Sequence, residues 1–207
     1  ETRDHHGILQ RDRALVIVAI QRPGLHLALV ELAAMQQAME RKHSTSRYVV
    51  KRMEIFNSNR GEFSPAFAKR DAVLYITSSR NEARGDSLSN ITGMKYNDIF
   101  IAARNDKGEW QRPPIMDSEI NTPFDEGTPS VSADDNYLFY TYSPVDYQVA
   151  SLPRIYYAQR KGGSWSAGKE LKMSEGDTLS LFAHPSVSPS GSYLYFVSDM
   201  PGGYGGK

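Results

Sequence analysis

Hydrophobic positions follow two different periods along the chain. From Leu25 they recur every three or four residues, at Leu29, Leu32, Met35 and Met39, which predicts an amphipathic helix. Pro23 and Gly24 suit its start, and Arg41 and Lys42 place positive charge at its end, where the helix dipole favours it. Upstream, Ala14–Ile20 is an unbroken apolar run that fits a second helix or a buried strand equally well. From Tyr48 onward the period changes to two, carried by β-branched and aromatic residues and punctuated by Gly, Pro, Asn and Asp. Both Trp, all twelve Tyr and all eight Phe lie in this second part. The chain therefore divides into a helical appendage, residues 1–47, read as the end of a helical-repeat region, and a β-rich part, residues 48–207.

The β-rich part repeats itself. Ser64-Pro65, Thr128-Pro129 and His184-Pro185 each open a short strand, followed by a polar turn. A second strand rich in aromatics comes next: Leu74–Ser78, Leu138–Thr141 and Leu194–Ser198. The first two copies add a third strand, Asp98–Ala102 and Arg154–Ala158, then Gly108-Glu109-Trp110 and Gly163-Ser164-Trp165. A unit of about 50 residues with four short strands is the pattern of a β-propeller blade. A single such sheet cannot cover its own two faces and has to stack on its neighbours. The expectation is a mainly β protein, a partial β-propeller of about three blades with the last incomplete, preceded by a short α-helical segment. An irregular β-sandwich is the competing architecture. On the propeller reading Tyr75, Phe139 and Tyr195 form core between blades, while Trp110 and Trp165 brace the outer strands of their own blades.

Composition narrows the function classes. Twenty-four basic residues balance 24 acidic ones, which argues against a nucleic-acid binder or a polybasic membrane clamp. The absence of cysteine removes disulfides, thiolate metal sites and cysteine nucleophiles. No apolar run reaches the roughly 20 residues of a transmembrane helix, and the first ten residues do not read as a leader peptide.

Candidate chemistry is sparse, and no catalytic, cofactor-binding or metal-ligating residues are expected. Asp134-Asp135 and Asp125-Glu126 are neighbours in sequence, so on strands they point to opposite faces. Asp134-Asp135-Asn136 suits a tight turn, where such side chains bond their own backbone. His5-His6 has no partner spaced for a closed metal site. The glycine-rich Gly202–Gly206 lacks the Lys-Ser/Thr of a phosphate loop, and Gly162–Ser166 fails the nucleophile-elbow pattern at its last position. What remains is the loop Asn81–Lys95, the long feature peculiar to one copy. Arg80, Arg84, Asp86 and Lys95 give it mixed charge suited to a polar protein interface, and a disordered solvent loop fits the same residues equally well.

Several motifs resemble a known family. Ser198–Lys207, Asn97-Asp98-Ile99-Phe100, Glu109–Pro113, Ile120–Thr122 and Glu126–Ser132 are similar to TolB-like, WD-repeat-like propellers of Bacteroidota envelope proteins. The resemblance spans about Ile55 to Lys207. It implies a periplasmic protein associated with the outer membrane that docks other envelope or secretion-machinery proteins without being an enzyme. It also implies membership of either the type IX secretion and gliding apparatus, with PorE-like architecture, or a peptidoglycan-associated group that binds the wall through an OmpA-like domain. No such domain and no lipid-attachment cysteine occur in this sequence. The alternative is a propeller-type carbohydrate-binding or hydrolytic protein using a central channel.

Overall fold

The computed structural model describes residues 23–42, 49, 51–68, 72–89, 92–116, 119–144, 151–176 and 179–202, without the side chains of residues 23–29. Ala14–Ile20, His5-His6 and the Gly203–Lys207 tail lie outside the described residues. The protein separates into two compact units, Glu1–Lys51 and Arg52–Lys207. In the first, α1 (Pro23–Lys42) carries Arg41 and Lys42 in its last turn, as the charge pattern predicts. Leu32, Met35 and Met39, the described part of its apolar stripe, are exposed.

The second unit is mainly β, built of antiparallel sheets. The first sheet is β1 (Glu62–Ala68), β2 (Val73–Ser78) and β3 (Asp98–Ala103), in that order. Residues after Trp110 run along the free edge of β3, where Met116 N–H donates to Ile99 O at 3.0 Å and Ile101 N–H to Pro114 O at 3.0 Å. The second sheet orders β4 (Asp125–Val131), β5 (Tyr137–Ser143) and β6 (Arg154–Lys161), with β7 (Ser164–Trp165) and β8 (Lys169–Glu170) both pairing with β6. The third sheet is β9 (Phe182–Val187) and β10 (Leu194–Ser198). β1 packs beside β4, and β4 beside β9, so the opening strands of the three repeats lie side by side.

The repeat in the sequence is a repeat in backbone geometry. Ser64, Thr128 and His184, each just before a proline, have φ of 48°, 49° and 53°, a left-handed conformation that non-glycine residues rarely adopt. Each sits in a bulge, where the register slips between residues 63 and 66, 127 and 130, and 183 and 186. The bulge lets the backbone N–H bond sideways to the preceding sheet. Thr128 N–H donates to Thr77 Oγ1 and His184 N–H to Thr141 Oγ1, both at 2.9 Å.

The main core lies between the first two sheets, formed by Val73, Tyr75, Ile99, Leu138, Tyr140 and Trp165 among others. Leu74, Ile76 and Ala102 on the opposite face of the first sheet are covered by Phe56 and Trp110. Tyr75 is fully buried, Phe139 half-buried and Tyr195 63% exposed, so three equivalent residues do not share one environment. The gradation has a simple cause: the second sheet covers Tyr75, whereas Tyr195 has no described sheet packed over it. Trp165 also departs from the expected role of bracing its own sheet. It joins the core against the first sheet, where Arg160 lies over its ring at 4.4 Å and donates from Nη2 to the Tyr75 hydroxyl at 3.2 Å. Arg104 repeats the stacking on Trp110, also at 4.4 Å.

Candidate docking surface and its buried supports

The polar loop joins β2 to β3, as the sequence predicts, but it is a braced structure. Lys95 Nζ donates to Ala83 O at 2.9 Å, and Ala83 is itself buried. Gly85 adopts φ +70°, and a Cβ there would sit 3.0 Å from the carbonyl oxygen of Pro123, so the loop packs closely on the segment leading into β4. Asp86 and Leu88 are exposed, while Arg84 and Lys95 are half-buried. Arg80 is only 2% exposed and is not one of the loop's outward charges. Of the four charged residues singled out, the structure leaves only Asp86 openly presented to solvent. Removing the whole loop would also remove the Arg84 N–H that caps Asp98, so such a deletion would disturb the core as well as the surface.

Beneath the loop lies an acid pair that sequence reasoning missed. Asp98 on β3 and Glu126 on β4 are both buried and hydrogen-bonded to each other across the boundary between sheets. Burial pushes both carboxyl groups above their ordinary values, and for Glu126 the negative charge of Asp98 adds to the rise. Asp98 Oδ2 accepts from Arg84 N–H, but Oδ1 has no donor while both groups are ionised. A proton held by Glu126 lets the two acids bond to each other. Thr122 meets the remaining needs of Glu126, donating its N–H to Oε2 at 3.0 Å and its hydroxyl to Oε1.

Glu62 occupies the equivalent position in the first repeat, and Ser58 clasps it in the same way. Its environment differs in charge. Burial acts to raise its pKa, but hydrogen bonds from Ser58 and Ser78 and the positive charge of Arg80 outweigh that, so the carboxyl lies below its ordinary value. One repeated Ser/Thr-x-x-x-Glu motif thus holds a proton in one sheet and a negative charge in the other. The signal was present in the sequence as Asn57-Ser58…Glu62 and Asn121-Thr122…Glu126, each ending shortly before the Ser/Thr-Pro pair.

Other candidate chemistry takes structural roles. Asp134 bonds Ser132 Oγ and Asn136 N–H, and Asp135 takes φ 57° in the tight turn between β4 and β5. Among the described residues, no group of three or more His, Cys, Asp or Glu is placed to hold a metal ion. Nor is any described helix long and apolar enough to cross a membrane.

No family model matches the sequence, and no curated protein matches it. Nine solved chains align with this one, two of them as follows. TolB from Acinetobacter baumannii aligns with 72% of this chain and 29% of its own, at 19% identity and a TM-score of 0.44. A thermostable family-43 glycoside hydrolase aligns with 69% of this chain and 49% of its own, at 17% identity and a TM-score of 0.35. The protein described here spans less than a third of the first structure and about half of the second.

Proposed function

We propose that this chain forms part of a β-propeller that acts as a non-enzymatic scaffold, docking proteins in the periplasm at the bacterial outer membrane. The carrying observation is the reiterated sideways hydrogen bond, Thr128 to Thr77 and His184 to Thr141. It fixes each sheet to the next by the same device, and like sheets related by one repeated contact form the radial stack of a propeller. Such a stack holds loops at fixed angles, so a partner that docks on them loses little conformational entropy to ordering. The braced loop around Asp86 and Leu88 is the proposed contact. The non-enzymatic reading is favoured because Asp98 and Glu126 bond to each other and are shut away from solvent. The finer assignment, to the type IX secretion and gliding machinery or to a peptidoglycan-associated protein, rests on the sequence motifs.

A photo-crosslinking amino acid placed at Leu88, which is 53% exposed, tests this in intact envelopes. Adducts with specific envelope proteins are expected, and their identity decides between the secretion and peptidoglycan assignments. Absence of adducts, together with envelope-glycan cleavage by the purified protein that Glu126→Gln abolishes, would replace the scaffold with an enzyme.

A further inference from the structure

A second site lies where the β2–β3 loop begins, at Asn81 and Glu82. The segment around Arg60, the end of β2 and Arg112 enclose a polar cleft of about 500 Å³. Arg80 lines it, although the side chain is almost wholly buried. A buried guanidinium is costly unless its N–H groups find partners. Here Nε donates to Ser78 Oγ at 3.1 Å, while Nη2 donates to Phe56 O at 2.7 Å and to Glu62 Oε1 at 3.3 Å. The group rests over the Phe100 ring, 4.6 Å from its centroid. Nη1 makes no hydrogen bond among the described residues.

The fold does not require a cation at this position. The equivalent residues of the other two repeats, two places beyond Ser78, Tyr142 and Ser198, are Pro144 and Met200. Arg80 is therefore a feature of one repeat, held rigidly with one nitrogen left over. Charge around the cleft favours a monoanion. Glu62 offsets Arg80, and Glu82 pairs with Arg112 at 2.9 Å across the rim. Arg60, exposed on the same rim, makes no ion pair among the described residues. Asn59 and Asn81 also line the cleft, and their side-chain amides can donate hydrogen bonds.

We propose that this cleft binds a carboxylate presented by a docking protein, either from an acidic residue or from the protein's own C-terminus. A planar group with two oxygens suits a cleft lined by one fixed guanidinium and one free one. That a protein presents the carboxylate rests on the scaffold reading above; the carboxylate site itself does not.

The test is amide-resolved NMR titration of the full protein with three short peptides at low salt. Acetyl-Ala-Glu-Ala-amide offers only a glutamate carboxylate, acetyl-trialanine only a C-terminal one, and acetyl-trialanine amide neither. Saturable shifts at Asn59, Asn81 and Glu82 are expected with one or both carboxylates and not with the amide, and the peptide that binds identifies the source. Arg60→Ala should weaken that binding about tenfold, the effect of losing one charge-assisted hydrogen bond. Arg80→Lys tests the buried partner, and Arg60→Ala, at an exposed position, keeps the test valid should Arg80 variants fail to fold. Absence of cleft shifts at millimolar peptide, equal shifts with the amide, or unchanged affinity in Arg60→Ala overturns the site. Carboxylate binding without any envelope crosslink from Leu88 would overturn the scaffold reading and leave the cleft standing.

Discussion

The hydrogen bond that links neighbouring sheets can be removed with little change in shape by Thr77→Val. Thr77 is fully buried and its Oγ1 accepts the Thr128 N–H at 2.9 Å. Valine puts a methyl where the oxygen was, leaving a part-buried N–H without an acceptor, at a cost of about 1–2 kcal/mol. A carbon at the oxygen's distance from that nitrogen is also too close, since apolar contacts settle near 3.5 Å or beyond, and relieving the overlap costs about 1 kcal/mol more. The total, about 2–3 kcal/mol, corresponds to a fall of roughly 5–10 °C in Tm for a protein of this size. Thr77→Ser keeps the oxygen and loses one methyl, which costs about 1 kcal/mol. Val197, the equivalent residue of the third sheet, is more than half exposed, so Val197→Thr should change stability by less than about 0.5 kcal/mol. Urea denaturation followed by circular dichroism, with thermal melts alongside, measures all three variants. If Thr77→Val costs no more than Thr77→Ser, the sideways bond is not what couples the sheets.

The remaining predictions concern the core and its buried acids. Glu126 is held above its ordinary value of 4.5, at about 8, so the native state keeps a proton that the unfolded protein releases; stability should fall as pH rises from about 4.5 to about 8. Glu126→Gln should flatten that slope in melts run across the same range, and a slope that survives unchanged would assign it elsewhere. Trp165→Ala should cost about 3–5 kcal/mol because it empties the core beside Tyr75, whereas Trp110→Ala, half-buried against Phe56 and Phe67, should cost less in the same denaturation assay. Gly168→Ala should destabilise by about 1–3 kcal/mol, since its Cβ would fall 1.8 Å from the Tyr140 hydroxyl oxygen; a melt matching the parent protein would show that Tyr140 moves freely.

Much of the fold can be read from the sequence because it is written three times. Ser64-Pro65, Thr128-Pro129 and His184-Pro185 mark the first strand of each sheet, and the aromatic strands that follow them are β2, β5 and β10. Periodicity shows that a residue is covered without showing what covers it. Tyr75, Phe139 and Tyr195 look alike in sequence, yet their burial depends on whether another sheet packs over them. Arg80 presents the same difficulty in polar form. In sequence it joins Arg84, Asp86 and Lys95 as loop charge, but its partners Phe56 and Glu62 lie 24 and 18 residues away. The Asp98–Glu126 pair was hidden for a related reason, since the two residues belong to different repeats and meet only when the sheets stack. The Ser/Thr-x-x-x-Glu motif was visible, but its opposite electrostatics in the two copies depend on which neighbour, Arg80 or Asp98, folds against it.

The prolines at 65, 129 and 185 bear on how this protein avoids sticking to itself. β1, β4 and β9 each form one edge of their sheet. An uninterrupted edge offers a row of unpaired N–H and C=O groups on which a foreign strand can grow. Here the residue before each proline turns its N–H out of line, and the proline has no N–H to give. An incoming strand would meet a gap at the middle of every such edge. The kink that fastens the second and third sheets to their predecessors therefore also interrupts these edges against the growth of a foreign strand.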